Sequence, residues 1–367
     1  MMDNIIKRIV LILVITAVSL LITAQLLKPQ IASYIFSHAL EQNLGRDISS
    51  DLPDGLHVLI CGAGGPLPDL RRSGPCTGII AGDKSYIFDA GSGNVRNLVL
   101  MGFPFHKLEA IYLTHLHSDH IDGLGQLMIQ TWIAGQRQTP VKIYGPKGVT
   151  KVVNGFNTAY EIDAGFRTAH HGEGIAPPEG AGGVGIPIAI PIKYPDASAT
   201  SLLPVSQANL SLKAILVSHE PVEPAFGFRL DYKNRSVVIS GDTKFDDNLL
   251  AASQNADLLI HEALDPEMIL QMADVLEAKE QNHLAKVFRD VPDYHTTPEE
   301  TARIAAKANV GELLMHHIVP PLPIDLLETL FLGQAKEIYD GKITIAKDGM
   351  ILSLHAGTDI ISHSSGL

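Results

Sequence analysis

Apolar and polar positions follow two different regimes along this chain, and the change between them divides it. Residues 9–27 form one run without a charge, preceded by Lys7 and Arg8. About twenty apolar residues suffice to cross a bilayer as a helix, and the lack of a polar face argues against a buried core helix. The basic pair in front predicts a cytoplasmic N-terminus, with everything after Leu27 exported. A secretory signal peptide is the competing reading. Its apolar region is ordinarily about 7–15 residues, but Ile22-Thr23-Ala24 offers a cleavage site. The retained anchor is preferred. Residues 1–30 are therefore assigned as a membrane anchor or signal segment, and 31–54, with an amphipathic stretch at 32–44, as a connector.

From residue 55 to 367, short apolar runs alternate with glycine turns. Their β-branched content and bounding Gly or Asp predict strands at 56–60, 77–81, 85–88 and 110–114. A helix is expected over 122–134, with Gly135 as its stop, and a strand at 141–144. Residues 172–185, dense in Gly and Pro, read as a long loop. A second strand series follows at 212–217, 225–231, 236–240 and 257–260. Asp265 caps and Pro266 opens a helix whose Met268, Met272, Val275 and Leu276 share one face, assigned to the core. Thr297-Pro298-Glu299-Glu300 is a capping box and opens another. A strand at 313–315, a helix over 324–339 and strand material at 343–354 complete the chain, without internal repeats. Two β-rich halves, each trailed by helices, predict an α/β domain over 55–367 with two packed sheets and helices outside.

Composition narrows this picture. Hydrophobic residues are 46% and charged residues 19%, enough for a core and contrary to general disorder. Two cysteines exclude a disulfide scaffold and a Cys-rich zinc module. Export would permit Cys61 and Cys76, at the ends of neighbouring strands, to form a disulfide; two separate buried thiols is the other reading. The 28 basic and 40 acidic residues give a net charge of −12, a poor surface for nucleic acid.

The candidate chemistry lies in Thr114-His115-Leu116-His117-Ser118-Asp119-His120. His115 and His117, two apart in extended chain, point to one side. Asp119 and His120 sit where strand turns to helix. Three imidazoles and a carboxylate suit zinc, which takes N and O ligands at about 2.0–2.2 Å. One ion cannot use all four from so short a segment; two can, His115 and His117 on one, Asp119 and His120 on the other. Further ligands stand at strand ends: His219, Asp242 and either His316 or His317, which spacing does not separate. Asp242 is the candidate bridge between two cations that would share a hydroxide nucleophile. Manganese or iron could occupy similar ligands. Two Zn²⁺ less Asp119, Asp242 and hydroxide leave about +1, which favours an anionic or polarised substrate. Gly62-Ala63-Gly64-Gly65 is a turn and no phosphate loop, because no Gly-Lys-Ser/Thr follows. Arg71-Arg72 reads as a solvated pair near the site, and His170-His171 as a candidate for the cleft mouth.

These residues resemble the metallo-β-lactamase superfamily over about 56–354. Its ribonuclease Z and arylsulfatase branch is similar in the 62–65 turn, Asp89-Ala90-Gly91, His219 with Phe226-Gly227-Phe228-Arg229, Ser240-Gly241-Asp242-Thr243, His261-Glu262-Ala263, His295-Thr296-Thr297 and His317. The resemblance implies an αββα sandwich with a dinuclear site along one edge. It selects His317 over His316 and makes Glu262 and His295 a pair assisting proton transfer to the leaving group. It thus implies as metal ligands His115, His117, Asp119, His120, His219, Asp242 and His317, and assigns Asp119, Glu262 and His295 to catalysis. Two departures count against a tRNA 3′-endonuclease. The last ligand precedes Ile318-Val319-Pro320-Pro321-Leu322-Pro323, and the segment 154–191, read as an insertion that sets specificity, carries Glu161, Asp163, Glu173 and Glu179 against Arg167.

The expected protein is an exported di-zinc hydrolase of phosphodiester or related ester bonds, acting on a small anionic or ester substrate. It would sit on the periplasmic or extracytoplasmic side of the inner membrane, anchored or secreted. Arylsulfate hydrolysis, lactam or lactone opening, and a non-enzymatic membrane-anchored metal-binding role are the alternatives. A homodimer is compatible with the sequence.

Overall fold

A computed structural model describes residues 2–190 and 199–367. Pro191, the last residue of the expected insertion, lies outside them. The chain divides into two units, one ending at Arg46 and the other spanning Asp47–Leu367. The first consists mainly of the helix Met2–Asn43, which between Asn4 and Glu41 is long and apolar enough to cross a membrane.

The second unit is built from two sheets. Among the described residues, one sheet has eight strands, from edge to edge Ile361–Ser365, Met350–His355, Gly55–Gly62, Cys76–Ala81, Lys84–Phe88, Leu108–Tyr112, Val141–Gly145 and Gly183–Pro187. The other has seven: Lys342–Ile345, Glu312–Val319, Leu258–Leu264, Arg235–Ile239, Ala225–Tyr232, Leu210–Val217 and Thr200–Leu202. Strand side chains alternate between faces, and here both faces are buried. Leu56, Val58 and Ile60 join Phe88, Tyr112, Phe228, Leu230 and Val237 between the sheets. Leu59, Cys61 and Ile111 instead pack outward with the helices Asn94–Leu100 and Leu124–Ile133. On the other flank, Val238, Leu259 and Leu313 pack beneath Pro298–Lys307 and Leu327–Leu332. Three apolar layers separate four layers of structure, which is the expected αββα sandwich. Cys61 and Cys76 form a disulfide, with Cα atoms 5.0 Å apart.

Several expectations are corrected. The segment read as an insertion is part of the framework: Val149–His171 is a helix, and Gly183–Pro187 pairs in parallel with Val141–Gly145. The loop expected over 172–185 therefore ends where that strand begins. Gly155 and Gly165 interrupt the helical pattern of Val149–His171, and Gly148 at its start supplies no side-chain cap. The expected helix 324–339 is two short helices, Leu327–Leu332 and Ala335–Ile338, parted at Gly333 with φ +46°. The strand material at 343–354 belongs to both sheets, because the chain crosses between them after Ile345. In Pro266–Ala278 the buried positions are Ile269 and Ala273, while Met272 and Val275 are exposed.

Candidate metal centre

The strand Leu108–Tyr112 delivers the chain to Thr114 and His115, both buried, and the short helix Ser118–Ile121 turns Asp119 and His120 back over the strand end. His115 Nε2 lies 2.9 Å from His117 Nδ1, and His219 Nε2 lies 3.4 Å from the same atom. His120 Nε2 stands 3.6 Å from Asp119 Oδ2, and His317 Nε2 stands 3.3 Å from it. Asp242 Oδ2 lies between the two groups, 3.8 Å from His115, 3.3 Å from His120 and 3.4 Å from His317. One set of ligand atoms, from His115, His117, His219 and Asp242, lies within 4.8 Å of one another; Asp119, His120 and His317 form another. The structure thus brings together all seven residues picked from the sequence, although they span two hundred positions.

His317 reaches this place through a strand irregularity. Glu262 faces His316 and Ala263 faces Ile318 across the parallel pair, so His317 is the extra residue of a bulge. Its φ of +46° is left-handed, and the turn carries its ring to Asp119 and Asp242. A Cβ on Gly65 would stand 3.0 Å from the His317 ring and 2.7 Å from Val319, so this glycine admits the close passage of its loop. His316 is buried but belongs to none of the ligand groups, with its pKa pushed down to about 3 by burial and by His317.

The donor set fits divalent cations. Burial holds His115 well below its ordinary pKa, and the His120 imidazole adds to this, so the ring is neutral and free to bind a metal. Burial opposes ionisation of Asp242, yet His317 and His120 hold its carboxyl well below the usual range. His120 Nε2 and Asp242 Oδ1 are buried without hydrogen-bond partners, as ligand atoms awaiting a cation would be.

Outer partners fix the imidazoles. Asp89 Oδ2 lies 2.9 Å from His120 Nδ1, and Asp89 also accepts from the Thr114 backbone and hydroxyl. Thr114 Oγ1 stands 3.0 Å from His115 Nδ1, and His219 Nδ1 donates to the Tyr294 carbonyl at 2.9 Å. These orienting groups carried no assigned role in the sequence; the signal was Asp89 at a strand end, in register with the metal-bearing loop. Glu262 Oε1 accepts from His295 Nδ1 at 3.1 Å and from the backbone of Thr243 and Thr296. Burial disfavours the charged His295, but Glu262 outweighs it and pushes the pKa up to about 9.

A cavity of about 300 Å³ opens over the centre, lined by His117, Asp119, Asp242, His295 and His317 and walled by side chains from Pro266–Ala278, Asn282–Asp290 and the 66–67 turn. No residue of 154–190 lines it; the helix and strand found there extend the eight-stranded sheet and its outer layer beyond Val141–Gly145. His170 and His171 stand exposed at the end of their helix. The Arg71-Arg72 pair is not jointly solvated: Arg71 pairs with Asp325, while Arg72 is buried, donating to Ala346 O beside Asp69.

The family model described as "Beta-lactamase superfamily domain" matches residues 85–318. With the sandwich and site above, this places the chain in the metallo-β-lactamase superfamily, in its ribonuclease Z-like branch, as a metal-dependent hydrolase. A ribonuclease Z of Mycolicibacterium gilvum is 31% identical over 304 residues, covering 82% of this chain and 97% of the relative. One from a Mycobacterium species (strain KMS) is 33% identical over 268 residues, covering 73% and 85%. Among solved structures, the metallo-β-lactamase fold protein YhfI of Bacillus subtilis shares the fold at TM-score 0.57 and 23% identity, covering 81% of this chain and 99% of its own. The short form of human tRNase Z does so at 0.54 and 22%, covering 81% and 98%.

Proposed function

We propose that this protein is a membrane-anchored, exported di-zinc hydrolase of phosphodiester or related ester bonds. The carrying observation is the Asp242 carboxylate, whose Oδ2 lies 3.8 Å from His115 of one ligand group and 3.3 and 3.4 Å from His120 and His317 of the other, beside the Glu262–His295 pair. His115, His117, His219 and Asp242 would hold one cation, and Asp119, His120, His317 and Asp242 the other. When bound, such a pair lowers the pKa of water enough to supply a nucleophile near neutral pH and polarises the ester. His295 spends Nδ1 on Glu262, which leaves Nε2 to protonate the departing oxygen as its bond to the acid centre breaks. Glu262 fixes the ring and sustains its protonated form. Asp119, which lines the cavity, would orient the attacking water by accepting a hydrogen bond from it.

Export is supported by Lys7 and Arg8 before the apolar helix and by the Cys61–Cys76 disulfide, a bond that persists in oxidising compartments. The relatives' name favours RNA as a second reading. Against it stand the net charge of −12 and the apolar wall over the site. The decisive experiment is metal analysis, with about two zinc ions expected per chain, alongside parallel assays of a chromogenic phosphodiester, a sulfate ester, a β-lactam and a 3′-extended tRNA precursor. Phosphodiester turnover exceeding the others carries the proposal, and turnover of the tRNA alone replaces it.

A further inference from the structure

The wall of the site cavity is more specific than its floor. Ile269, buried on Pro266–Ala278, belongs to an apolar cluster with Leu264 and Val319, against which Leu67, Phe288 and Val291 pack half-buried. Leu67, Ile269, Val287, Phe288 and Val291 all line the cavity, as does Tyr294. The Tyr294 ring lies 4.9 Å from that of His295. Tyr294, part of that lining, therefore brings the wall against the proton donor. A general acid must stand next to the oxygen it protonates, so the group attached to that oxygen occupies the apolar side.

We infer that the alcohol released by this enzyme is apolar, an aryl or branched alkyl group seated against Ile269, Phe288, Val291 and Tyr294; this rests on the hydrolytic reading above. A ribose or other polyol leaving group would bury hydroxyls there without partners, a cost that apolar walls do not offset. The cavity of about 300 Å³ accepts a single substituted ring. Val287, which also lines it, is half-exposed. The rest of the substrate, carrying the acid centre, is left over the cation-binding floor.

The test compares two methyl phosphodiesters whose phenols have similar acidity, 4-tert-butylphenol and 4-(hydroxymethyl)phenol, on the zinc-loaded full-length protein in detergent. The expected kcat/KM ratio is on the order of tenfold in favour of the tert-butyl ester, the scale on which apolar pockets discriminate. Phe288→Ser and the isosteric Val291→Thr should each bring the ratio toward unity. Calorimetry with free 4-tert-butylphenol gives a readout without turnover: binding is expected in the parent and weakened in both variants. A ratio of one in the parent, or a ratio unchanged in both variants, overturns the inference. If neither ester is cleaved, the hydrolytic reading fails, and the calorimetry decides separately. Binding lost in the variants upholds the apolar subsite, and no binding in the parent overturns it.

Discussion

Asp89 and Asp242 flank opposite nitrogens of one imidazole: Asp89 Oδ2 is 2.9 Å from His120 Nδ1, and Asp242 Oδ2 is 3.3 Å from His120 Nε2. The first carboxylate accepts a hydrogen bond from the Nδ1 proton, so that Nε2, on the side of the second, is the nitrogen a cation would take in place of a proton. A ring held in this way loses little freedom on binding a cation and is made more basic. Asp89→Asn should preserve the fold and weaken metal affinity by about 10- to 100-fold, the usual scale for an outer carboxylate. Zinc competition with a chromophoric chelator measures it, and parental affinity in the variant would remove Asp89 from the metal site.

Asp242 has a different job. Its Oδ2 stands within 3.8 Å of His115, His120 and His317, so its loss affects both ligand groups. Asp242→Ala should bind fewer than two zinc ions per chain and lose at least about 10³-fold in turnover. Elemental analysis after gel filtration distinguishes this from the loss of a single-site ligand. A variant with full metal content and unchanged turnover would refute the bridging role.

His295 is predicted to matter for chemistry and little for metal. It touches Glu262 and lines the cavity, so His295→Ala should keep about the parental zinc content while kcat on a poor leaving group falls by about 10²–10⁴-fold. The loss should shrink as the leaving alcohol becomes more acidic, because an acidic alcohol departs without a proton. A loss independent of leaving-group acidity would make His295 a structural residue or a metal ligand.

How much of this was readable in advance depends on distance along the chain. His115, His117, Asp119 and His120 are legible because one strand-to-helix turn carries them all. The alternation of Leu56, Val58 and Ile60 against Leu59 and Cys61 likewise encodes two buried faces. His317 is another matter: spacing alone cannot separate it from His316, because the choice is made by a bulge relative to Glu262, and register between distant strands is not written locally. The role of Asp89 stayed hidden for the same reason. The wall of the cavity was misplaced because 154–191 is rich in acidic residues and glycine, whereas Ile269 and Phe288 look like ordinary members of amphipathic helices until the tertiary fold aims them at the site.

The Cys61–Cys76 disulfide closes a sequence separation of 15, tying the end of Gly55–Gly62 to the start of Cys76–Ala81. A loop of that length corresponds to about 3 kcal/mol of stabilisation. Cys61→Ser with Cys76→Ser should lower stability by about 2–4 kcal/mol, read from urea unfolding of the oxidised parent and the variant. Equal stabilities, or two free thiols in protein isolated from the native compartment, would contradict both the bond and the export it supports.

The last prediction concerns acid. His57 is buried between neighbouring strands, with Nε2 2.7 Å from the Pro53 carbonyl and Nδ1 2.9 Å from Ser353 Oγ. The neutral ring satisfies both, donating from Nε2 and accepting at Nδ1. Burial, reinforced by His355, lowers its pKa in the folded protein below the ordinary 6.5. The unfolded chain therefore takes up a proton first as pH falls, so this contribution to stability is present above about 6.5 and is lost progressively down to the folded-state pKa. His57→Gln should be less stable than the parent at about pH 7.5, by roughly 1–3 kcal/mol for the two disturbed hydrogen bonds. Its stability should also fall less steeply between about pH 7.5 and 5.5. Other buried histidines titrate in parent and variant alike, so the difference in slope isolates this one ring. Parallel curves of stability against pH would show that His57 titrates equally in both states.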